Sequence, residues 1–414
     1  MQSPDQQKSP DGFVARANLG ALEFILLAAT LTAMGAMSID IMLPILPDIG
    51  ASFAIEDENR AQLVIVAFSL AFALGQLIFA PLSDRFGRKP LLLTGIVLYF
   101  AGAAGSALSS SFEMLLIMRF VQGLGGSTLR SVVVATVRDC FEGDAMSRVM
   151  TFVYTIFMLV PMAAPFIGHI IGQTLGWHAI FWLLTTIAFV VGIWISLRLA
   201  ETLPNEERQT ISPSAMYRSL VEIVTSRMAV GYTVAATLSF GGLLSFIVSS
   251  QQIFGGLYGL GDYFSLAFAA FAIISAIVSL SATRLIRLFG ARFVVHSALT
   301  ASAISSFILL IVSLGGTPPF FLAFATLSVS LAAGGIMQGN ANAIALRPLG
   351  HIAGMASAII GTISMTLGVF LGGFVGQVYN GTVQPLALII CIGSISALAA
   401  IAWAEHGKLF PGKS

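Results

Sequence analysis

The sequence predicts an all-α membrane protein: twelve transmembrane helices in two six-helix bundles. Three observations lead there. Of 414 residues, 57% are hydrophobic and only 9% charged, with a mean hydropathy of +0.92; soluble domains carry far more charge. Continuous apolar runs recur, each near the roughly 20 residues a helix needs to cross a bilayer. They do not alternate, as the strands of a membrane β-barrel would. Finally, the runs fall six and six around one long polar stretch at 199–227.

The predicted spans cover 22–47, 61–83, 91–109, 114–137, 149–172, 178–198, 229–252, 263–283, 293–314, 318–346, 353–378 and 385–404. This gives a tail at 1–20, a bundle at 21–198, a linker at 199–227, a second bundle at 228–404 and a tail at 405–414. The polar residues 1–20 hold no short apolar core followed by a cleavage site, so the first apolar segment is expected to act as the insertion signal. Arg60 lies in the first loop, and Arg119 and Arg130 lie inside the fourth span. All other Lys and Arg fall at the termini and the even-numbered loops, so the positive-inside rule puts both termini in the cytoplasm. Glu56, Asp57 and Glu58 on the first outer loop agree with this.

The near-neutral net charge of +1 argues against a nucleic-acid partner. Two distant cysteines, Cys140 and Cys391, make a disulfide framework or a cysteine metal site unexpected. No His/Glu metal cluster, GxSxG or phosphate-binding loop marks an enzyme, so neither metal nor cofactor is expected. Gly87 in DRFGRK echoes Gly290 in IRLFGAR. Gln122-Gly123 echoes Gln338-Gly339, and Gly172-Gln173 echoes Gly376-Gln377. The matches keep their order near half the chain length, the mark of a parallel repeat with a substrate site between the halves.

The first span carries SIDIMLPILPDIG over 38–50. An ionised Asp costs about 2.5–3.5 kcal/mol at a helix centre, and Asp40 lies somewhat off-centre. It must face a wet cavity, find a cation or carry a proton; the alternative is a structural role at a helix end beside Pro44. Pro44 and Pro47 bend the span or loosen its end, turning carbonyls towards a cavity. Arg119, near the start of the fourth span, is placed at about the depth of Asp40. It is the expected partner unless it snorkels outward. Arg130 lies three turns on, on the same face, or else snorkels towards the cytoplasm.

On these stretches the chain resembles the major facilitator superfamily, specifically the twelve-span drug:proton antiporters of the bicyclomycin/chloramphenicol resistance (Bcr/CflA) type. APLSDRFGRKPLLL at 80–93 resembles the signature between spans two and three, with Ala80 in place of its leading Gly. The resemblance implies a conformational latch of Asp84, Arg85, Gly87, Arg88 and Lys89, with Arg138 and Asp139 as its local contacts. The same charges are also what cytoplasmic topology alone would place there. RFVQGLGGSTLRSVVVATVRD at 119–139 is similar to the fourth-span motif, which implies proton coupling by Arg119. SIDIMLPILPDI maps Asp40 onto the membrane-embedded acid. In the fifth span, PMAAPFIGH departs from the antiporter pattern: Pro165 and Gly168 fit, while Pro161, Ala164 and His169 replace glycines.

By that resemblance spans 1, 4, 7 and 10 surround a central cavity. Gln122, Tyr154, Phe157, Phe240, Phe246, Gln338 and Asn340 are the expected lining, against ordinary helix packing as the plainer role for the aromatic ones. The expected activity is proton-coupled efflux of amphiphilic antibiotics such as chloramphenicol or bicyclomycin by alternating access. The partners implied are a small-molecule drug, protons and lipid, the protein being a monomer in a bacterial inner membrane. A proton-coupled exporter or symporter of a small metabolite is the alternative, followed by an integral membrane enzyme or a receptor.

Overall fold

The computed structural model describes residues 13–208 and 213–410. After a two-residue hairpin, Phe13–Val14 with Leu19–Gly20, it is helical. The first helices are α1 (Ala21–Asp40), α2 (Leu46–Ser52), α3 (Leu63–Phe86), α4 (Arg88–Ala107), α5 (Phe112–Cys140), α6 (Gly143–Leu175) and α7 (Trp177–Arg198). Those that follow are α8 (Pro213–Thr225), α9 (Arg227–Ser250), α10 (Phe264–Phe289), α11 (Ala291–Leu314), α12 (Phe320–Ala345), α13 (Ala353–Gln377) and α14 (Gln384–Ala404).

Among the described residues, twelve of these helices have 20 residues or more. Ten helical segments are both long and apolar enough to cross a membrane, and Leu159–Leu175 within α6 is a shorter apolar one. The expected count of twelve apolar spans is corrected accordingly. The missing span is α5, where Arg119, Gln122 and Arg130 stand among glycines, serines and threonines. Its length suffices but its hydropathy does not. The first span is also not one helix over 22–47. It stops at Asp40, passes through a tight turn at Leu43–Ile45 and restarts as α2. Pro44 and Pro47 explain the break, because each lacks the N–H that an α-helix would direct at the carbonyl four residues earlier.

The described residues form two units, one of 13–45 together with 67–208, the other of 46–66 together with 213–410. In the first unit, glycines set how closely helices approach. A Cβ on Gly102 would strike the Gln122 backbone, and one on Gly125 the Tyr99 backbone, so α4 and α5 touch main chain to main chain. Gly123 lies likewise against the Phe68 carbonyl of α3. In the second unit, Phe246 of α9 is buried among Phe254, Phe268 and Phe271. Gly231 of α9 abuts Ala400 and Ala404 of α14.

The sequence echo between Gly87 and Gly290 has a structural counterpart. Gly87 joins α3 to α4 at φ 103°, ψ 160°, and Gly290 joins α10 to α11 at φ 88°, ψ 154°. A positive φ of this kind is open to glycine and costly for other residues, which makes each a one-residue corner between helices.

Candidate functional site

The end of α1 forms the centre of the site. Ser38 and Asp40 lie in its last turn, where carbonyls lose their helical partners. The Met42 N–H bonds to Ile39 O at 3.3 Å rather than continuing the helix. The freed Ser38 carbonyl accepts a hydrogen bond of 2.8 Å from Arg119 Nη2 on α5. Arg119 Nη1 donates to Gln122 Oε1, one turn along the same helix, at 2.7 Å. The guanidinium also lies over the Phe68 ring at 4.6 Å and near Phe181 at 5.8 Å, contacts that favour a desolvated cation. Arg119, Gln122, Phe68 and Phe181 are all fully buried.

Asp40 is 5% exposed. No hydrogen bond or ion pair joins it to Arg119, so the pair expected from helical depth is not formed in this arrangement. The cation is held instead by a carbonyl two residues before the acid. Helix α6 closes the other side: a Cβ on Gly168 would collide with Ile41 O, and one on Gly172 with Ile45 Cγ2. Pro161 and Pro165 both lie inside α6, whose helix continues through them.

Ser38 also brings in Tyr99, which carried no sequence signal. The Tyr99 hydroxyl makes a short hydrogen bond with Ser38 Oγ and lies 3.3 Å from Met34 O. An aromatic residue in an apolar run reads as packing, and its OH partner is visible only once α1 lies against α4.

Three of the expected latch residues, Asp84, Arg88 and Asp139, come together in the same unit. Arg88 Nε donates to Asp139 Oδ2 at 2.8 Å, and Arg88 Nη1 to Asp84 Oδ1 at 2.6 Å and to Ser83 Oγ at 2.8 Å. Lys89 Nζ donates to Ser196 O at 2.9 Å, and Arg85 lies over Phe86. Arg138 is exposed, in contrast to its neighbour Asp139. Glu201 was missed. Its carboxylate accepts the backbone N–H groups of Arg88 and Lys89, at 2.8 and 3.2 Å, and so caps α4. An acid just past the sixth span was the available clue.

The other expected lining residues are dispersed. Gln338 Nε2 donates to Ala236 O and Asn340 Nδ2 to Ile336 O, both at 2.8 Å. Phe240 is half-buried against Gly368, while Phe246 is an aromatic packing residue and not an open wall. The side chains of Tyr154 and Phe157 lie outside the described residues.

Comparison with known proteins adds to this geometry. A bicyclomycin resistance protein homolog of Haemophilus influenzae is 27% identical over 385 residues, covering 92% of this chain and 95% of that protein. Multidrug resistance protein MdtL of Vibrio parahaemolyticus is 25% identical over 382 residues, covering 91% and 94%. Among solved structures, a D-xylose–proton symporter aligns with a TM-score of 0.75 at 16% identity, over 95% of this chain and 99% of that one. A peptide transporter in complex with alafosfalin aligns at 0.73 and 12% identity, over 98% and 100%. Such low identities speak to fold alone. The model of the Major Facilitator Superfamily matches residues 25–406, nearly the whole chain, and the protein belongs to that superfamily.

Proposed function

We propose that the chain is a proton-coupled exporter of amphiphilic drugs, working as a monomer in a bacterial inner membrane with both termini in the cytoplasm. The observation that carries this reading is Asp40, a carboxyl group buried at the end of a membrane helix, two residues after the Ser38 carbonyl that a buried arginine holds. Membrane-embedded acids of this kind mark proton and ion pathways. The printed names of the relatives, bicyclomycin resistance and multidrug resistance, support drugs as the cargo.

In the proposed cycle Asp40 alternates between two conditions. Protonated, it leaves Arg119 on the Ser38 carbonyl. Deprotonated, it draws Arg119 or a polar group of the drug, since a charge-assisted hydrogen bond is stronger than a neutral one. A proton arriving from outside neutralises the acid and weakens its hold on the drug, which departs outward. The proton then leaves to the cytoplasm after the protein reorients. The membrane potential adds about 2.3 kcal/mol per charge per 100 mV. No step requires a covalent reaction, so the protein is proposed to be a transporter and not an enzyme.

The test is a drug-susceptibility panel in a pump-deficient host, with and without an uncoupler, together with proton-driven uptake into inverted vesicles. Expected is resistance that the uncoupler abolishes, and loss of uptake in Asp40→Asn. Wild-type uptake by Asp40→Asn refutes the coupling assignment. Uncoupler-sensitive uptake of a small metabolite with no drug resistance favours the alternative of metabolite transport on the same fold.

A further inference from the structure

Tyr99 is a neutral residue in the middle of α4, fully buried, and belongs to none of the motifs. Its hydroxyl nonetheless meets the most consequential turn of α1. Ser38 Oγ lies 2.8 Å from Met34 O, and the Tyr99 hydroxyl contacts both of these atoms. Two hydroxyl protons serve this triangle. Either Tyr99 donates to Ser38 and Ser38 to Met34 O, or Ser38 donates to Tyr99 and Tyr99 to Met34 O. Each assignment satisfies both protons, and each ties α1 to α4.

Ser38 is tied a second time through its backbone, by Arg119 of α5 at 2.8 Å. The two anchors are themselves fixed to each other, because Gly102 and Gly125 bring α4 and α5 into main-chain contact beside Tyr99 and Gln122. One residue of α1 is therefore gripped from both helices, two positions before Asp40. Among the described residues, the titratable or charged groups on the stretches of helix around this end of α1 include Glu113 and Arg119 on α5, Tyr99 on α4, His169 beside Gly168 on α6, and His178 at the start of α7.

We propose that Tyr99 is a positioning residue for proton coupling: its hydroxyl holds Ser38 so that the Ser38 carbonyl retains Arg119 and keeps it off Asp40. This rests on the reading of Asp40 as the coupling acid. In the proposed cycle Arg119 exchanges a neutral acceptor, the Ser38 carbonyl, for a charged one, the Asp40 carboxylate. Fixing the carbonyl stabilises the arrangement in which Asp40 keeps its proton. By linkage, whatever stabilises the protonated arrangement raises the pH at which that proton is lost. Removing the Tyr99 hydroxyl lets Arg119 move to the carboxylate more readily, and the titration shifts towards acid. Loss of one buried hydrogen bond corresponds to a shift of roughly half to one pH unit.

The experiment is pH-dependent infrared difference spectroscopy of the purified full chain in liposomes. It follows the carbonyl band of the protonated carboxyl group, with Asp40→Asn identifying the band. Expected is an acid shift of the midpoint in Tyr99→Phe, which keeps the ring, and the same shift in Ser38→Ala, with no further shift in the double variant. Ser38→Thr, which restores a hydroxyl, is expected to keep the wild-type midpoint. A general loosening of the fold would not produce this pattern. An Asp40 band whose midpoint is unmoved in Tyr99→Phe overturns the role of Tyr99 alone. A titration unaltered in Asp40→Asn overturns the assignment of Asp40, and the role of Tyr99 with it.

Discussion

The Arg88 side chain is 3% exposed, and its guanidinium donates to Asp139, Asp84 and Ser83. Asp139 is nearly as buried, at 9%, while Asp84 is 36% exposed. Removing one partner of a buried pair leaves an uncompensated charge, at a cost of about 3–5 kcal/mol. Asp139→Asn is therefore expected to lower the thermal midpoint of the purified protein well below that of Asp84→Asn, whose partner site is solvated. Arg88→Lys is expected to behave like a loss, since an ammonium has no planar fork to span Asp84 and Asp139 together. Equal midpoints for the two aspartate variants would show that burial is not what makes this cluster matter. Asp84, Arg88 and Asp139 were named on the resemblance of their stretches to the family's motifs. Glu201 was missed, because its partners are backbone N–H groups, which every sequence has. Tyr99 was not legible at all, since its role depends on which helix faces it.

The elements owe their lengths to local rules, but the break in α1 owes its position to two prolines. Without an N–H, Pro44 cannot bond to Asp40 O, and Pro47 cannot bond to Leu43 O. The carbonyls freed at this end supply what neighbouring helices need: Ser38 O receives Arg119, and Ile41 O lies against Gly168. Pro44→Ala restores a donor and lets α1 run on towards α2. The expected outcome is a protein at least as stable to heat yet defective in proton-driven transport, because the extended helix withdraws the acceptor that holds Arg119. Retained transport would mean that the break is incidental. Gly168→Ala is expected to act the other way. Its Cβ would meet backbone that cannot rotate aside, so α6 must shift, at about 1–3 kcal/mol, and stability falls with transport. The sequence pattern placed Asp40 and both prolines in one span. It could not show that the helix ends at the acid itself, because a proline in a membrane helix bends as readily as it terminates.

At the scale of the whole molecule, the echoed Gly87 and Gly290 are both corners between helices, and a second correspondence accompanies them. Arg292 and Glu405 stand as far apart along the chain as Arg88 and Glu201 do, and they too meet, with Arg292 Nε 3.0 Å from Glu405 Oε1. The predicted first bundle spans 21–198 and so includes residues 46–66. Residues 46–66 precede the midpoint but belong to the second unit. A closed set of hydrogen bonds around Asn59 accounts for this. Asn59 Nδ2 donates to Gln377 O at 3.3 Å and to Tyr379 O at 3.0 Å, and Gln377 Nε2 returns a bond to Asn59 O at 2.8 Å. Gln252 Nε2 donates to Asn59 Oδ1 at 2.6 Å, and the Tyr379 hydroxyl donates to Gln252 O at 3.1 Å. Burial, with the Glu58 carboxylate as a lesser cause, pushes the Tyr379 phenol above its ordinary value, so it remains a donor at physiological pH. A single asparagine serving both donor and acceptor roles has no signature in a polar loop, which is why the assignment of 46–66 was invisible beforehand. Asn59→Ala removes three of these bonds at once. Each contributes about 0.5–1.5 kcal/mol net, and opening of this segment should be local, since only its own contacts are lost. Hydrogen exchange followed by mass spectrometry is expected to show peptides within 46–66 exchanging at least tenfold faster in Asn59→Ala. Peptides of α4 and α5, which belong to the other unit and are held by their own glycine contacts and buried side chains, are expected to be unchanged. If exchange in 46–66 stays at the wild-type rate, apolar packing of α2 holds the segment and the hydrogen bonds merely accompany it.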